Sequence, residues 1–371
     1  MSVVLKGSPF PDISPQELAE QIQAKKKCEK KLPTWFHTPK IHYPNKMNIE
    51  QCSSEITAEY KAQLVGGKTL VDLTGGLGVD AYFFSKKTST VFHCEIDENL
   101  SEIAAYNFGI LGADNVQVNP VDGMIFLQES NRKFDWLYLD PSRRSDNNNK
   151  VFLLSDCTPN ITEHLSLLLN KANRILVKTS PLLDLTIGLK QLEHVKEIHI
   201  VAVNNEVKEV LWVLQGQKET KIRVKTINLM ESKTQKFDFD LSEEKDTIAQ
   251  LGWPLSYIYE PNAALLKSGA FKLITAKLAV QKLHEHSHLY TSNDLMEFPG
   301  RVFRIEKVLA YTKKELRSFV GTKANVAVRN FPESVSQIRK KYKIKDGGDV
   351  YLYFTRLKND QLALIKASKK I

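Results

Sequence analysis

Cysteine is scarce in this chain and never closely paired. Its four cysteines, Cys28, Cys52, Cys94 and Cys157, are scattered with no CxxC. That excludes a disulfide framework, argues against thiolate metal binding, and predicts buried thiols at Cys52 and Cys94 in a reducing cytoplasm. Long apolar runs are also missing, and nothing approaches the roughly 18 residues that a membrane helix needs. The opening MSVVLKGSPFPDIS breaks at Pro9 and Pro11 and lacks the apolar segment of a signal peptide. The reading is a cytoplasmic protein without a membrane partner. Nine histidines show no HExxH or other ligand spacing, and His284, His286 and His288 fall in a polar, loop-like stretch. No metal and no Ser-His-Asp arrangement is predicted. Internal repeats and low-complexity segments are absent.

What is present is enough for a sizeable core: 371 residues, of which 42% are hydrophobic and 26% charged, a length that suits two or three domains. The net charge of +9 is unevenly spread. Residues 301–371 carry +12, so the preceding 300 residues carry −3. A basic module joined to a slightly acidic one points to a polyanion, because Lys and Arg gain affinity by displacing counterions from phosphates. A solvated Lys-rich surface is the plainer alternative.

Along the chain, residues 14–65 read as mostly helical, with Ser53-Ser54-Glu55 as a serine cap and first-turn acid. From Lys68 short apolar runs alternate with helical stretches: 69–71, 90–94, 116–118, 136–139 and 174–178. That alternation predicts a parallel sheet covered on both faces. The next two runs, Glu197–Val203 and Glu209–Leu214, are separated by only five residues. So short a connection cannot make a parallel crossover and must form an antiparallel hairpin. An otherwise parallel sheet ending in a reversed strand is the class I methyltransferase arrangement, unlike a dinucleotide-binding sheet. Further on, 222–229 and 237–239 suggest a second hairpin, Tyr259-Glu260-Pro261-Asn262 introduces an apolar helix ending near Gly269, and residues from 299 read as a small α+β domain. The expected divisions are 1–65, 66–216, 217–254, 255–298 and 299–371.

The chemistry-bearing residues fall at strand ends. Asp72-Leu73-Thr74-Gly75-Gly76-Leu77-Gly78 follows the first strand, where glycines permit positive φ and close approach of a ligand. An acid there suits a cationic amino group, such as the methionine end of S-adenosyl-L-methionine, and would repel a pyrophosphate. Glu95, after the second strand, can accept both ribose hydroxyls, while Asp97 caps the following helix. Asp122, after the third, can accept from the adenine amino group. Each carboxylate alone reads more often as a cap or turn residue. Three at successive strand ends line one edge of such a sheet, where open α/β sheets bind ligands. Asp140-Pro141-Ser142-Arg143-Arg144 ends the fourth strand. Asp140 and the Pro141 carbonyl can orient a target amine, and Arg143 and Arg144 can grip phosphate or stack on a base. Lys178, ending the fifth strand, is a further substrate-contact candidate, or simply a strand terminus.

These residues, with Gln51-Cys52-Ser53-Ser54, Tyr257-Ile258-Tyr259-Glu260-Pro261-Asn262-Ala263, Lys323–Pro332 and Lys345–Tyr351, resemble class I methyltransferases that carry a C-terminal THUMP-like domain. The resemblance covers nearly the whole chain. It implies a ferredoxin-like piece around 255–298, a THUMP-like terminal domain and RNA as the substrate class. The glycine turn is also similar to that of a bacterial ribosomal-RNA guanine methyltransferase acting on an exocyclic amine. In the amine-methylating signature, however, a second proline and an aromatic stand where this chain has Ser142 and Arg143. The basic module also follows the catalytic domain, whereas THUMP domains commonly precede it. The expected function is S-adenosylmethionine-dependent methylation of a base in ribosomal or transfer RNA. The competing readings are a small-molecule or protein methyltransferase and a non-catalytic RNA-binding protein with a degenerate pocket.

Overall fold

The computed structural model describes residues 9–10, 13–143, 153–217 and 221–369. The chain forms two compact units, one made of residues 1–198 and 209–220 and the other of 199–208 and 221–371.

Among the described residues the first unit opens with four helices: α1 (Pro15–Lys31), α2 (Pro33–His37), α3 (Lys46–Gln51) and α4 (Glu55–Ala62). Helix α1 starts at a capping box, Ser14 with Glu17, and has Pro15 in its first turn, where a missing N–H costs nothing. Five parallel strands follow: β1 (Gly67–Asp72), β2 (Thr88–Cys94), β3 (Val116–Asn119), β4 (Phe134–Leu139) and, after the short antiparallel pair β5 (Ser142–Arg143) and β6 (Cys157–Thr158), β7 (Ala172–Thr179). Helices α5 (Val79–Ser85), α6 (Glu98–Leu111), α7 (Gly123–Glu129) and α8 (Ile161–Lys171) connect them, and α9 (Leu185–Gln191) follows β7. The parallel strands are apolar runs, with Leu70, Val71, Leu137, Leu139, Ile175 and Val177 fully buried, as a sheet covered on both faces demands.

The sheet order in this unit is β3-β2-β1-β4-β7-β9. Strands β8 (Val195–Val203) and β9 (Glu206–Gln215) meet at a turn in which Asn204 and Asn205 both have positive φ, and β9 runs antiparallel to β7, from Arg174↔Gln215 to Thr179↔Val210. The reversed strand expected from the short connector is present. The fold is therefore a Rossmann-like class I methyltransferase sheet, and all five parallel strands end on one edge.

In the second unit β10 (Arg223–Leu229) and β11 (Thr234–Asp240) form an antiparallel hairpin followed by α10 (Leu241–Asp246). Next come β12 (Tyr257–Pro261), α11 (Ala263–Ser268), α12 (Leu273–Lys277), β13 (Gln281–Lys282), β14 (Tyr290–Ser292), β15 (Gly300–Ala310), α13 (Lys313–Leu316), β16 (Asn325–Arg329), α14 (Val335–Tyr342), β17 (Val350–Arg356) and β18 (Leu362–Lys369). The strands join one sheet in the order β13-β14-β12-β15-β18-β17-β16. Residues 257–261 form a strand where the sequence suggested only the approach to a helix, while Asn262 does cap that helix through the Leu265 amide, and Gly269 ends it with φ +76°. Glu260, 3% exposed, binds the Nε of Arg301 on β15 (2.9 Å), the guanidinium of Arg329 on β16 and the hydroxyl of Tyr353 on β17 (3.3 Å). Burying that carboxylate is tolerable only because two guanidinium groups and a hydroxyl replace water.

Candidate functional site

Backbone hydrogen bonds stitch the strand extensions together where the parallel strands end. Leu73 N donates to Tyr138 O (3.1 Å), Gly75 N to Cys94 O (2.8 Å) and Glu95 N to Asn119 O (3.1 Å). Above them lies a cavity of about 620 Å3 whose lining includes Asp72's neighbours Thr74–Gly78, then Glu95, Asp122, Asp140, Ser142 and Lys178. That is an ordinary size for a small-molecule site.

The glycines hold this shape for three different reasons. Gly75 packs on the His93 ring so closely that a Cβ would lie 2.1 Å from it. Gly76 has φ +56° with open space where a Cβ would stand, so bare backbone faces the cavity. Gly78, at φ +81°, starts α5 against Phe108, 2.4 Å from a would-be Cβ. His93 is fully enclosed, and burial lowers its pKa to about 4, so the imidazole under the loop is neutral.

Asp72 is 1% exposed. Its Oδ1 accepts from Thr74 N at 3.0 Å, while Oδ2 is buried with no hydrogen-bond partner. Burial above all, with the carboxylates of Asp80, Asp140 and Glu95 adding to it, raises its pKa well above the ordinary range, against the Thr74 amide. Thr74 also accepts from Asp140 N through Oγ1 (2.7 Å), joining the ends of β1 and β4. Glu95 is clamped, Oε2 accepting from Gly76 N (2.7 Å) and Oε1 from Asp97 N (2.9 Å). A carboxylate has about four lone-pair positions, so both oxygens can still accept. Asp97 caps α6 through Leu100 N (3.0 Å), as expected. Asp122 caps α7, its Oδ1 accepting from Met124 N (2.7 Å) and Ile125 N (3.2 Å).

Asp140 forms an ion pair with Lys178 through Oδ2. Burial by itself would lower the Lys178 pKa, but Asp140, Glu209 and Asp80 outweigh it and raise it, so the ammonium is firmly charged. Pro141 is buried. Arg143 pairs through its backbone with Cys157; its side chain, and all of Arg144, lie outside the described residues. Cys94 is fully buried and Cys52 partly so, and both line the cavity.

Beneath the cavity lies a charged cluster that the sequence did not reveal. Lys61 is fully buried on α4. Its ammonium donates to Glu209 Oε2 (2.9 Å) and Oε1 (3.1 Å) and to Ser53 Oγ (3.0 Å), and pairs with Asp80 Oδ1 at 3.2 Å. Asp80 Oδ2 accepts from Ser53 Oγ and Tyr138 Oη, both at 2.8 Å. Ser53 is therefore a member of this cluster, not part of a serine cap. Neighbouring Ser54 holds the N-cap position without a side-chain bond to the helix backbone.

Two family profiles match the chain: a ferredoxin-like domain over residues 257–299 and a THUMP domain-like segment over 300–367. No curated protein matches it. The crystal structure of a candidate methyltransferase from Porphyromonas gingivalis W83 is 32% identical, with a TM-score of 0.90 over 100% of this chain and 94% of that one. Lesser overlaps include TrmK of M. capricolum in complex with S-adenosylhomocysteine (14% identity, 44% of this chain and 68% of that one, TM-score 0.34). Another is the M. jannaschii tRNA m1G37 methyltransferase (13%, 45% and 51%, TM-score 0.31). With its full length matched at 32% identity and both terminal profiles in place, the chain belongs to the family of class I methyltransferase-fold proteins that carry C-terminal ferredoxin-like and THUMP-like segments.

Proposed function

We propose that this protein transfers a methyl group from S-adenosyl-L-methionine to a base in structured RNA, ribosomal or transfer. The observation that carries the cofactor reading is the orphaned, buried Oδ2 of Asp72, at the foot of the loop whose Gly76 turns open backbone to the cavity. A buried carboxylate oxygen without a donor is costly, and the amino group of the cofactor's methionine end supplies both a donor and a positive charge. Thr74, Gly75, Gly76 and Gly78 would cradle that end, Glu95 would accept the ribose hydroxyls, and Asp122 would face the adenine. When bound, the cofactor supplies an electrophilic methyl group on a sulfonium.

Positioning does most of the work in such an in-line displacement. Asp140, fixed by Thr74 and Lys178, would use Oδ1 to orient the nucleophile, with the Pro141 carbonyl as second acceptor; Lys178, Arg143 and Arg144 are the proposed substrate contacts. RNA is supported by the THUMP-like segment and by the +12 charge of residues 301–371, which suits a phosphate backbone; the proposed setting is the cytoplasm. The test is transfer of labelled methyl groups into total RNA from cells lacking the gene, beside DNA and protein extract. Label in RNA that is lost with Asp140→Ala supports the reading. Label in protein, or nowhere despite S-adenosylhomocysteine binding, removes the RNA claim.

A further inference from the structure

The second unit contains a cavity of about 1020 Å3 that methyl transfer does not use, lined by residues of the β10–β11 hairpin, the Asn204–Asn205 turn, segment 295–303 and Lys369. Its floor consists of primary amides. Asn228, Gln235 and Asn262 are 1%, 8% and 3% exposed. Gln235 Oε1 accepts from Asn228 Nδ2 (3.1 Å) and Asn262 Nδ2 (3.0 Å), and Gln235 Nε2 donates to Gly300 O (2.9 Å). Asn228 Oδ1 accepts from Asn205 N (2.8 Å) and Asn262 Oδ1 from Leu265 N (2.9 Å). Each amide oxygen thus takes at least one bond within the protein, and Gln235 Oε1 takes two. Each amide nitrogen carries two hydrogens, so Gln235 and Asn262 each keep an N–H that no described residue takes. The floor therefore offers both donors and acceptors, as the edge of a base requires.

The walls are apolar and partly open: Met230, Leu278, Leu295 and Met296, with Leu295 43% exposed. The rim is cationic. Lys233, Lys236 and Lys369 are exposed and have no carboxylate partner among the described residues, Arg301 is held by Glu260, and Glu297 is the acid in the lining. Spare donors below, apolar walls between and ammonium groups above match a nucleobase with its phosphates. A base can enter only if it is unstacked, which a single strand allows and a duplex does not.

From this geometry we infer that the cavity docks an unpaired nucleotide of a single-stranded RNA segment, with Lys233, Lys236 and Lys369 on the flanking phosphates. The inference deepens the RNA reading above and rests on it for the choice of polyanion. The assay is fluorescence anisotropy of the full chain with a labelled ten-nucleotide single strand, and with a duplex of the same composition, across a salt series without S-adenosylmethionine. Lys233→Glu with Lys236→Glu should weaken single-strand binding about tenfold or more and reduce the salt slope by about 1.4, the loss of two phosphate contacts on a single strand. Met296→Trp, which fills the cavity, should weaken the single strand while leaving the salt slope in place. Duplex affinity and S-adenosylhomocysteine binding should not move in either variant, which also certifies their folding.

Unchanged affinity and slope in the double variant would overturn the proposal. So would displacement of the probe by polyglutamate, or by a mononucleotide at the same concentration as the oligonucleotide. Single-strand binding that persists in Asp140→Ala while methyl transfer is lost separates this site from the catalytic reading. Binding here without any transfer to RNA would leave the site standing and remove the catalytic reading alone.

Discussion

Replacing Lys61 with Met keeps the length of the aliphatic stem and removes the charge. In the native protein the ammonium is fully enclosed and meets Glu209 twice, Asp80 and Ser53, at 2.9–3.2 Å. The variant leaves the Glu209 carboxylate, 2% exposed, without the cation that offsets its burial. Breaking a buried pair on one side costs about 3–5 kcal/mol, or roughly 6–20 °C in melting temperature for a unit of this size. Urea unfolding followed by tryptophan fluorescence suits the measurement, because Trp35, Trp136 and Trp212 belong to the first unit and Trp253 to the second. The loss should depend on pH. Burial already raises the Glu209 pKa above its ordinary 4.5, with Lys61 first among the groups pulling it back. Without Lys61 it rises further. A carboxyl whose folded pKa exceeds its unfolded one favours the folded state at low pH and loses that contribution as pH climbs through the folded value. Lys61→Met should therefore lie closer to the native protein at pH 5 than at pH 8, and adding Glu209→Gln should restore more than half the loss at pH 8. A cost under about 1 kcal/mol, a deficit indifferent to pH, or no rescue by Gln would refute the argument.

Glu95→Ala should weaken S-adenosylhomocysteine binding by about 1–3 kcal/mol, the usual loss for a buried polar partner, in calorimetric titration; unchanged affinity would displace the ribose from this carboxylate. Gly78→Ala should destabilise by roughly 2–5 kcal/mol, combining a left-handed backbone with a clash on Phe108. Gly112→Ala, at φ +68° with open space around it, should cost only about 1–2 kcal/mol, and equal losses would remove the packing argument. His93 has its pKa depressed from 6.5 to about 4 by burial. A depressed group contributes stability above the unfolded pKa and loses it as pH falls, so the unfolding free energy should drop between pH 6.5 and 4 by up to about 3 kcal/mol. His93→Gln should flatten that part of the profile.

The site's frame was legible wherever its determinants are local. Five intervening residues suffice to reverse β9, and Asp72, Glu95, Asp122 and Asp140 each follow an apolar run whose end fixes its place on the edge of the sheet. Asp122 illustrates the limit of that logic, because one of its oxygens is committed to a helix cap, and the same position serves both readings. The Lys61 cluster was not legible, because Lys61 and Glu209 are 148 residues apart and Asp80 resembles an ordinary first-turn acid. A faint signal existed: Lys61 shares the buried face of α4 with Thr57, Ala58 and Ala62, where a solvated lysine does not belong. Glu209 likewise opens a run, Val210–Leu214, that is buried throughout. The ion pair between Asp140 and Lys178 joins two separately predicted residues, and only the adjacency of β4 and β7 places them together.

Glu260 bears on how this protein can be divided. The two family profiles meet between residues 299 and 300, yet that carboxylate lies on one side of the seam and its partners Arg301, Arg329 and Tyr353 on the other. Strand β15, which opens the terminal segment, pairs with β12 from Tyr257↔Arg304 to Pro261↔Gly300. A fragment beginning at residue 300 would carry two arginines deprived of their acid and an uncovered strand edge, and should unfold or aggregate. One beginning at 257 keeps both. The smallest piece that keeps both the ion pairs and the strand pairing therefore spans both profiles.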